Sequence, residues 1–147
     1  MKKLFLFASA LVLSAGVFAQ TTAQTKKAED VIKFKETAYD FGKIKQGTPV
    51  THDFDFTNIS SSPVIIESAV PSCGCTTPVK PEGAIGKGKE DKIKAGFNAA
   101  NVGPFNKTIT IKVAGIDLPT QLRITGEVLT PEAYAQYIAA KGKSAGR

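Results

Sequence analysis

The sequence predicts an all-β chain, a single antiparallel sandwich of about seven strands closed by a short helix. Two observations carry this. Apolar side chains recur with a period of two rather than 3.6 through residues 31–129, and turn-forming clusters of Gly, Pro, Asn and Ser interrupt them at regular spacing. Alternating strand and helix units would read differently.

The chain opens with Lys2-Lys3, an apolar stretch from Leu4 to about Val17, and Val17-Phe18-Ala19 before Gln20. These are the charged, apolar and small-residue regions of a cleavable secretory signal. The apolar run is shorter than the ~20 residues that span a bilayer, and no cysteine follows the cleavage point to accept a lipid. Residues 1–19 are therefore expected to be a signal peptide. The mature chain would start near Gln20, would not span a membrane, and would be exported to a periplasm or beyond, where disulfides persist. Residues 20–30 are polar and aperiodic, as in a flexible linker.

The folded part is expected from Val31 to Leu129. Ile32/Phe34 and Tyr39/Phe41 mark two short strands. In Thr51–Asn58, His52, Phe54 and Phe56 share one face while Asp53, Asp55 and Thr57 share the other, as in a strand with one wet side. An apolar run covers Pro63–Val70. Ile93, Ala95 and Phe97 oppose Lys92, Lys94 and Gly96; Phe105, Ile109, Ile111 and Val113 alternate with Asn106, Thr108, Thr110 and Lys112. Leu118, Leu122, Ile124 and Val128 oppose Gln121, Arg123, Thr125 and Glu127. Turns are expected at Gly42–Pro49, Asn58–Pro63, Pro78–Gly88, Asn98–Pro104 and Ala114-Gly115, with Gly42 and Gly47 supplying tight turns around Ile44. Roughly 100 residues in such strands suit an immunoglobulin-like domain, without that fold's disulfide between sheets. Residues 130–147 are expected to form a short helix and basic tail: Thr130 can cap, Pro131 fits the first helical position, Tyr134, Tyr137, Ile138 and Lys141 fall on one side, and Gly142 is the expected stop. At about eleven residues such a helix is marginal alone, so its tyrosine side is expected to dock on the sandwich.

Charge narrows the function. The formal net charge is +6, and loss of Lys2 and Lys3 with the signal leaves +4. Between Val31 and Thr130 there are twelve basic and ten acidic side chains. The predicted pI of about 9.3 therefore reflects the ends of the chain, and the domain lacks the basic stripe of a nucleic-acid binder. No phosphate-binding glycine loop, nucleophile elbow or histidine pair occurs, so no catalytic residue and no cofactor is assigned. His52 has the inward parity of its strand, which suits a structural residue better than a base. Asp53 and Asp55 read as solvated charges. Asn58-Ile59-Ser60 and Asn106-Lys107-Thr108 match glycosylation acceptors, expected to be incidental behind a signal of bacterial type.

The two cysteines, Cys73 and Cys75, flank Gly74 just after the Pro63–Val70 run. One reading is a local turn, with thiols free or bridged. Residues i and i+2 of a straight strand lie roughly 6.7 Å apart, near the limit for a disulfide, and a bend at Gly74 would shorten this. Such a bridge stabilises little: about 1.5 kcal/mol by loop entropy, against about 3 for a fifteen-residue loop. A second reading is thiol-disulfide exchange, since an exposed bridge in a tight loop is labile, although the helix N-terminus of the familiar Cys-x-x-Cys motif is missing. A third is Cu(I) held by two thiolates; zinc would need four ligands.

Taken together, Asp40-Phe41-Gly42-x-Ile44-x-x-Gly47, Phe54-x-Phe56-x-Asn58, Ser72-Cys73-Gly74-Cys75-Thr76, Gly103-Pro104-Phe105-Asn106-Lys107 and Ile124-x-Gly126-Glu127-Val128 resemble a bacterial family of exported proteins known only as a domain of unknown function. It is similar to Hydin-type and major-sperm-protein-type immunoglobulin-like domains. The resemblance spans about residues 31–129. It implies a seven-stranded sandwich outside the cytoplasm and a role in protein interaction, with a protein partner in the cell envelope, and no established activity.

Overall fold

A computed structural model describes residues 25–144 of the chain. The expected signal peptide, the first part of the expected linker and the end of the basic tail lie outside the described residues. Nine strands form two sheets, followed by one helix: β1 (Ile32–Phe34), β2 (Ala38–Lys45), β3 (Val50–Asn58), β4 (Val64–Pro71), β5 (Thr76–Val79), β6 (Ala84–Ile85), β7 (Glu90–Phe97), β8 (Gly103–Val113), β9 (Thr120–Leu129) and α1 (Pro131–Ser144). One sheet has the order β1-β3-β7-β5 and the other β2-β9-β8-β4-β6. All pairs are antiparallel except β2 with β9.

The period-two pattern is the cause of the core. Phe54 and Phe56 of β3, Ile93 of β7, Ile66 of β4, Ile109 and Ile111 of β8, and Leu122 and Ile124 of β9 are wholly buried between the sheets. Each such side chain contributes about 1.5–3 kcal/mol relative to leaving it in water. Phe34 packs on Phe56 with ring centroids 5.3 Å apart, and Phe97 stacks on Phe105 at 4.0 Å. The opposite parity of β3 and β7 faces water and pairs charges across strands: Asp53 lies beside Lys92 at 2.6 Å, and Lys35 lies 3.4 Å from both Asp55 and Glu90.

Several elements differ from the sequence expectation. Ordered structure precedes Val31, because Lys27 bridges Leu118 and Ala28 is fully buried at the start of a 3₁₀ turn. The stretch after Cys75, expected to be loop and turn, holds β5 and β6. Pro78 masks β5 in the sequence, yet β5 is an edge strand, where a missing N–H is tolerated. A register shift between Ile66 and Ser68 changes the parity of β4, so Val70 is 56% exposed and the strand is buried on one side only. Leu118 precedes β9 and is 43% exposed, not a core residue.

Thr130 caps α1 as expected, accepting from Ala133 N–H at 3.2 Å. The helix continues through Gly142 to Ser144. It reaches the sandwich through Tyr137, whose ring lies 5.3 Å from the Lys43 ammonium on the outer side of β2, while Ile138 stays exposed.

Candidate functional site

Two places bear on function. The first is the corner Ser72–Thr76, where the chain leaves β4 in one sheet and enters β5 in the other. Ser72 is fastened to β8 twice: its N–H donates to Thr108 O at 2.8 Å, and its hydroxyl accepts from Thr108 N–H at 3.1 Å. On the far side, Cys75 O accepts from Asn98 N–H at 3.1 Å, and Thr76 N–H donates back to Cys73 O at 3.3 Å. Within this frame Cys73 and Cys75 form a disulfide, with Cα atoms 5.3 Å apart. The bend at Gly74 therefore shortens the straight-strand separation as the sequence reading requires. Gly74 itself is exposed, its φ is not in the left-handed region, and nothing lies within 4 Å of where its Cβ would be. Cys75 packs against the core. Thr76 is 2% exposed, and its Oγ1 lies 3.6 Å from Cys73 Sγ. A disulfide sulfur carries no hydrogen, so the hydroxyl is the donor. The Thr76 hydroxyl had no signature in the sequence beyond its place after Cys75. Among the described residues, no group of three or more His, Cys, Asp or Glu side chains converges on a common point.

The second place is the edge of the larger sheet. Among the described residues, β2 is its terminal strand and pairs only with β9. Thr37 O accepts from Arg123 N–H and Gln46 N–H donates to Leu129 O, which fixes which backbone groups turn towards β9. Alternation then leaves the N–H and C=O groups of Ala38 and the N–H of Lys45 directed to the open side, while Lys45 O accepts from Thr48 N–H at 3.2 Å. Gly42, at φ +65°, makes the irregularity between Asp40 and Lys43, where its N–H donates to Asp40 Oδ1 at 2.9 Å. Gly47, at φ +71°, closes the turn after β2 and bonds Ala99 O through its N–H at 2.9 Å.

Behind this edge, an aromatic seam joins the sheets. The His52 ring stacks on Tyr39 at 3.6 Å and 7°, meets Phe54 edge-on, and its Nε2 bonds Glu36 Oε1 at 2.8 Å. His52 is thus half-buried, in keeping with its inward parity. Glu36 and Tyr39 come from the crossing segment and the other sheet, so periodicity within β3 could not reveal them. Asp53 and Asp55 are paired with lysines on the wet face. The Lys92 hydrogen bond holds the Asp53 carboxyl below its ordinary range, and burial opposes this more weakly. Asn58 is fully buried: its amide donates to Ser62 O at 2.9 Å and Ile85 O at 2.8 Å, and its Oδ1 accepts from Ser60 N–H at 2.9 Å. It is a folding residue that ends β3, with no amide hydrogen left for a glycan.

The two-sheet fold is an immunoglobulin-like sandwich, similar to PapD-like domains. The domain 7 PapD-like (ASH) domain of human CEP192 superposes with a TM-score of 0.58 at 10% identity, covering 86% of this chain and 98% of that one. A protein of unknown function from Porphyromonas gingivalis W83 gives 0.56 at 17% identity, over 76% of this chain and 51% of the other. The VesB protease of Vibrio cholerae gives 0.53 at 13% identity, over 69% of this chain and 33% of that one. No curated protein matches the sequence. Residues 32–128 match the family described as protein of unknown function (DUF1573), and the chain belongs to that family.

Proposed function

We propose that this chain is an exported, non-enzymatic immunoglobulin-like module that binds an extended segment of a cell-envelope protein along the open edge of β2. The observation that carries the reading is the one-sided pairing of this eight-residue strand. Its unpaired backbone groups are a template for strand addition, in which main-chain hydrogen bonds supply affinity and alternate side chains supply selectivity. Lys43 and Lys45 and the irregularity at Gly42 blunt the edge against self-pairing. The Lys2-Lys3, apolar and Val17-Phe18-Ala19 order of the first residues supports export.

The test places a photo-crosslinking side chain at Lys45, on the edge, or at Lys94, on the outer side of the other sheet, in the native envelope. Capture of one reproducible partner from position 45 and not from 94 supports the reading. Equal capture from both, or none, removes it. Mass measurement of the mature chain tests export: a start near Gln20 is expected, and a retained Met1 contradicts it.

A further inference from the structure

We propose that the Cys73–Cys75 disulfide is a reversible exchange site for a dithiol, and that the Thr76 hydroxyl tunes it toward reduction. This goes beyond strand pairing at β2 and does not depend on it.

Three observations meet at the corner. Backbone hydrogen bonds from Ser72, Cys75 and Thr76 hold the crossing on both sides, so the bond can open while the sheets stay in place. The ring it closes contains only Gly74 between the cysteines, and Gly74 is exposed with open space above it. Thr76 is buried, and its hydroxyl is directed at Cys73 Sγ. A disulfide sulfur is a weak acceptor and a thiolate is a strong one, because hydrogen bonds to charged groups exceed neutral ones. The same hydroxyl therefore stabilises the reduced pair more than the oxidised pair.

The exchange is written in two displacements. One thiolate of the dithiol attacks Cys75 Sγ; the new S–S bond forms as the Cys73–Cys75 bond breaks, and the electron pair goes to Cys73 Sγ beside the Thr76 hydroxyl. The second thiolate then attacks its own partner sulfur in the mixed disulfide and releases Cys75 as thiolate. The external dithiol leaves oxidised to a disulfide by two electrons, and Cys73 and Cys75 are left reduced. The reaction is stoichiometric in protein, and its reversal by any external disulfide restores the starting state.

The experiment equilibrates the folded mature protein with graded ratios of reduced to oxidised dithiothreitol, quenches with acid, alkylates, and counts adducts by mass while circular dichroism follows the fold. Two alkyl groups per chain with an unchanged spectrum are expected. Thr76→Val should need about tenfold more reducing conditions for half-reduction, which is about 30 mV for a two-electron couple, and Thr76→Ser should return the wild-type midpoint. The proposal is overturned if the folded wild type stays unalkylated in excess dithiothreitol, if reduction unfolds it, or if Thr76→Val shares the wild-type midpoint. Should Thr76→Val fail to fold, the wild-type titration and a Thr76→Ala midpoint decide the matter.

Discussion

Gly126→Ala provides a direct probe of the packing that supports the β2 edge. Gly126 lies opposite Phe105 in the β8–β9 register. A Cβ at this position would stand 2.7 Å from Phe105 Cζ, 2.8 Å from Cε1, and 2.8 Å from the carbonyl oxygen of Gly42. Neither neighbour yields easily. The Phe105 ring is stacked on Phe97 and only 8% exposed, and the Gly42 backbone is tied to Asp40. Overpacking of this kind costs about 1–3 kcal/mol, and contact with a backbone atom places the cost near the top, at about 3 kcal/mol. For a domain of about 100 residues each kcal/mol moves Tm by about 4–8 °C, so the midpoint should fall by ~12–24 °C. Thermal and urea unfolding followed by circular dichroism measure it. Adding Phe105→Leu relieves the ring overlap, so the double variant should lose less than the sum of the single losses. A Gly126→Ala midpoint within about 2 °C of wild type would refute the reasoning.

Asn58→Ala removes a buried amide that serves Ser60, Ser62 and Ile85. It should cost about 3 kcal/mol by urea unfolding, because carbonyls lose their donors away from water. Replacing Cys73 and Cys75 together by Ser should cost no more than about 1.5 kcal/mol by the same assay and should leave partner capture at position 45 unchanged. Asp53→Asn tests the Lys92 pair. The Asp53 carboxyl is held below its ordinary value of 3.8, so its contribution is present above that value and is lost as pH falls through the lower folded value. The stability gap between wild type and Asp53→Asn should therefore close on acidification below 3.8, and should shrink with added salt because both groups are exposed; a gap that is constant with pH would contradict the pairing.

The sandwich was legible where one strand carried its own pattern. Phe54 and Phe56 against Asp53 and Asp55, or Ile109 and Ile111 against Thr108 and Thr110, state their faces without any partner. Legibility failed where a neighbour decided the outcome. Pro78 hides β5 because only its edge position makes a proline harmless. Val70 and Leu118 look like core residues, but a register shift and an early chain reversal turn them out. Ala28 looks like linker until Leu118 O accepts from its N–H. At the corner, Cys73-Gly74-Cys75 was visible as a motif, and its bend followed from geometry. The direction of the Thr76 hydroxyl was not, since it depends on how the chain crosses between sheets. The seam of Glu36, Tyr39 and His52 draws on three segments and two sheets, so no single window contains it.

A strand added at the β2 edge needs the Lys45 N–H as a donor, and Lys45→Pro removes it. The Lys45 N–H points away from β9, so proline removes an edge donor while the β9 ladder and the Thr48 N–H to Lys45 O turn bond remain available. Wild type and Lys45→Pro are compared for unfolding midpoint and for capture of the crosslinked partner, with the crosslinker moved to Ala38. Strand addition at β2 predicts a similar midpoint and at least a tenfold loss of capture, about 1.4 kcal/mol of binding free energy. Undiminished capture by a folded Lys45→Pro chain would contradict it.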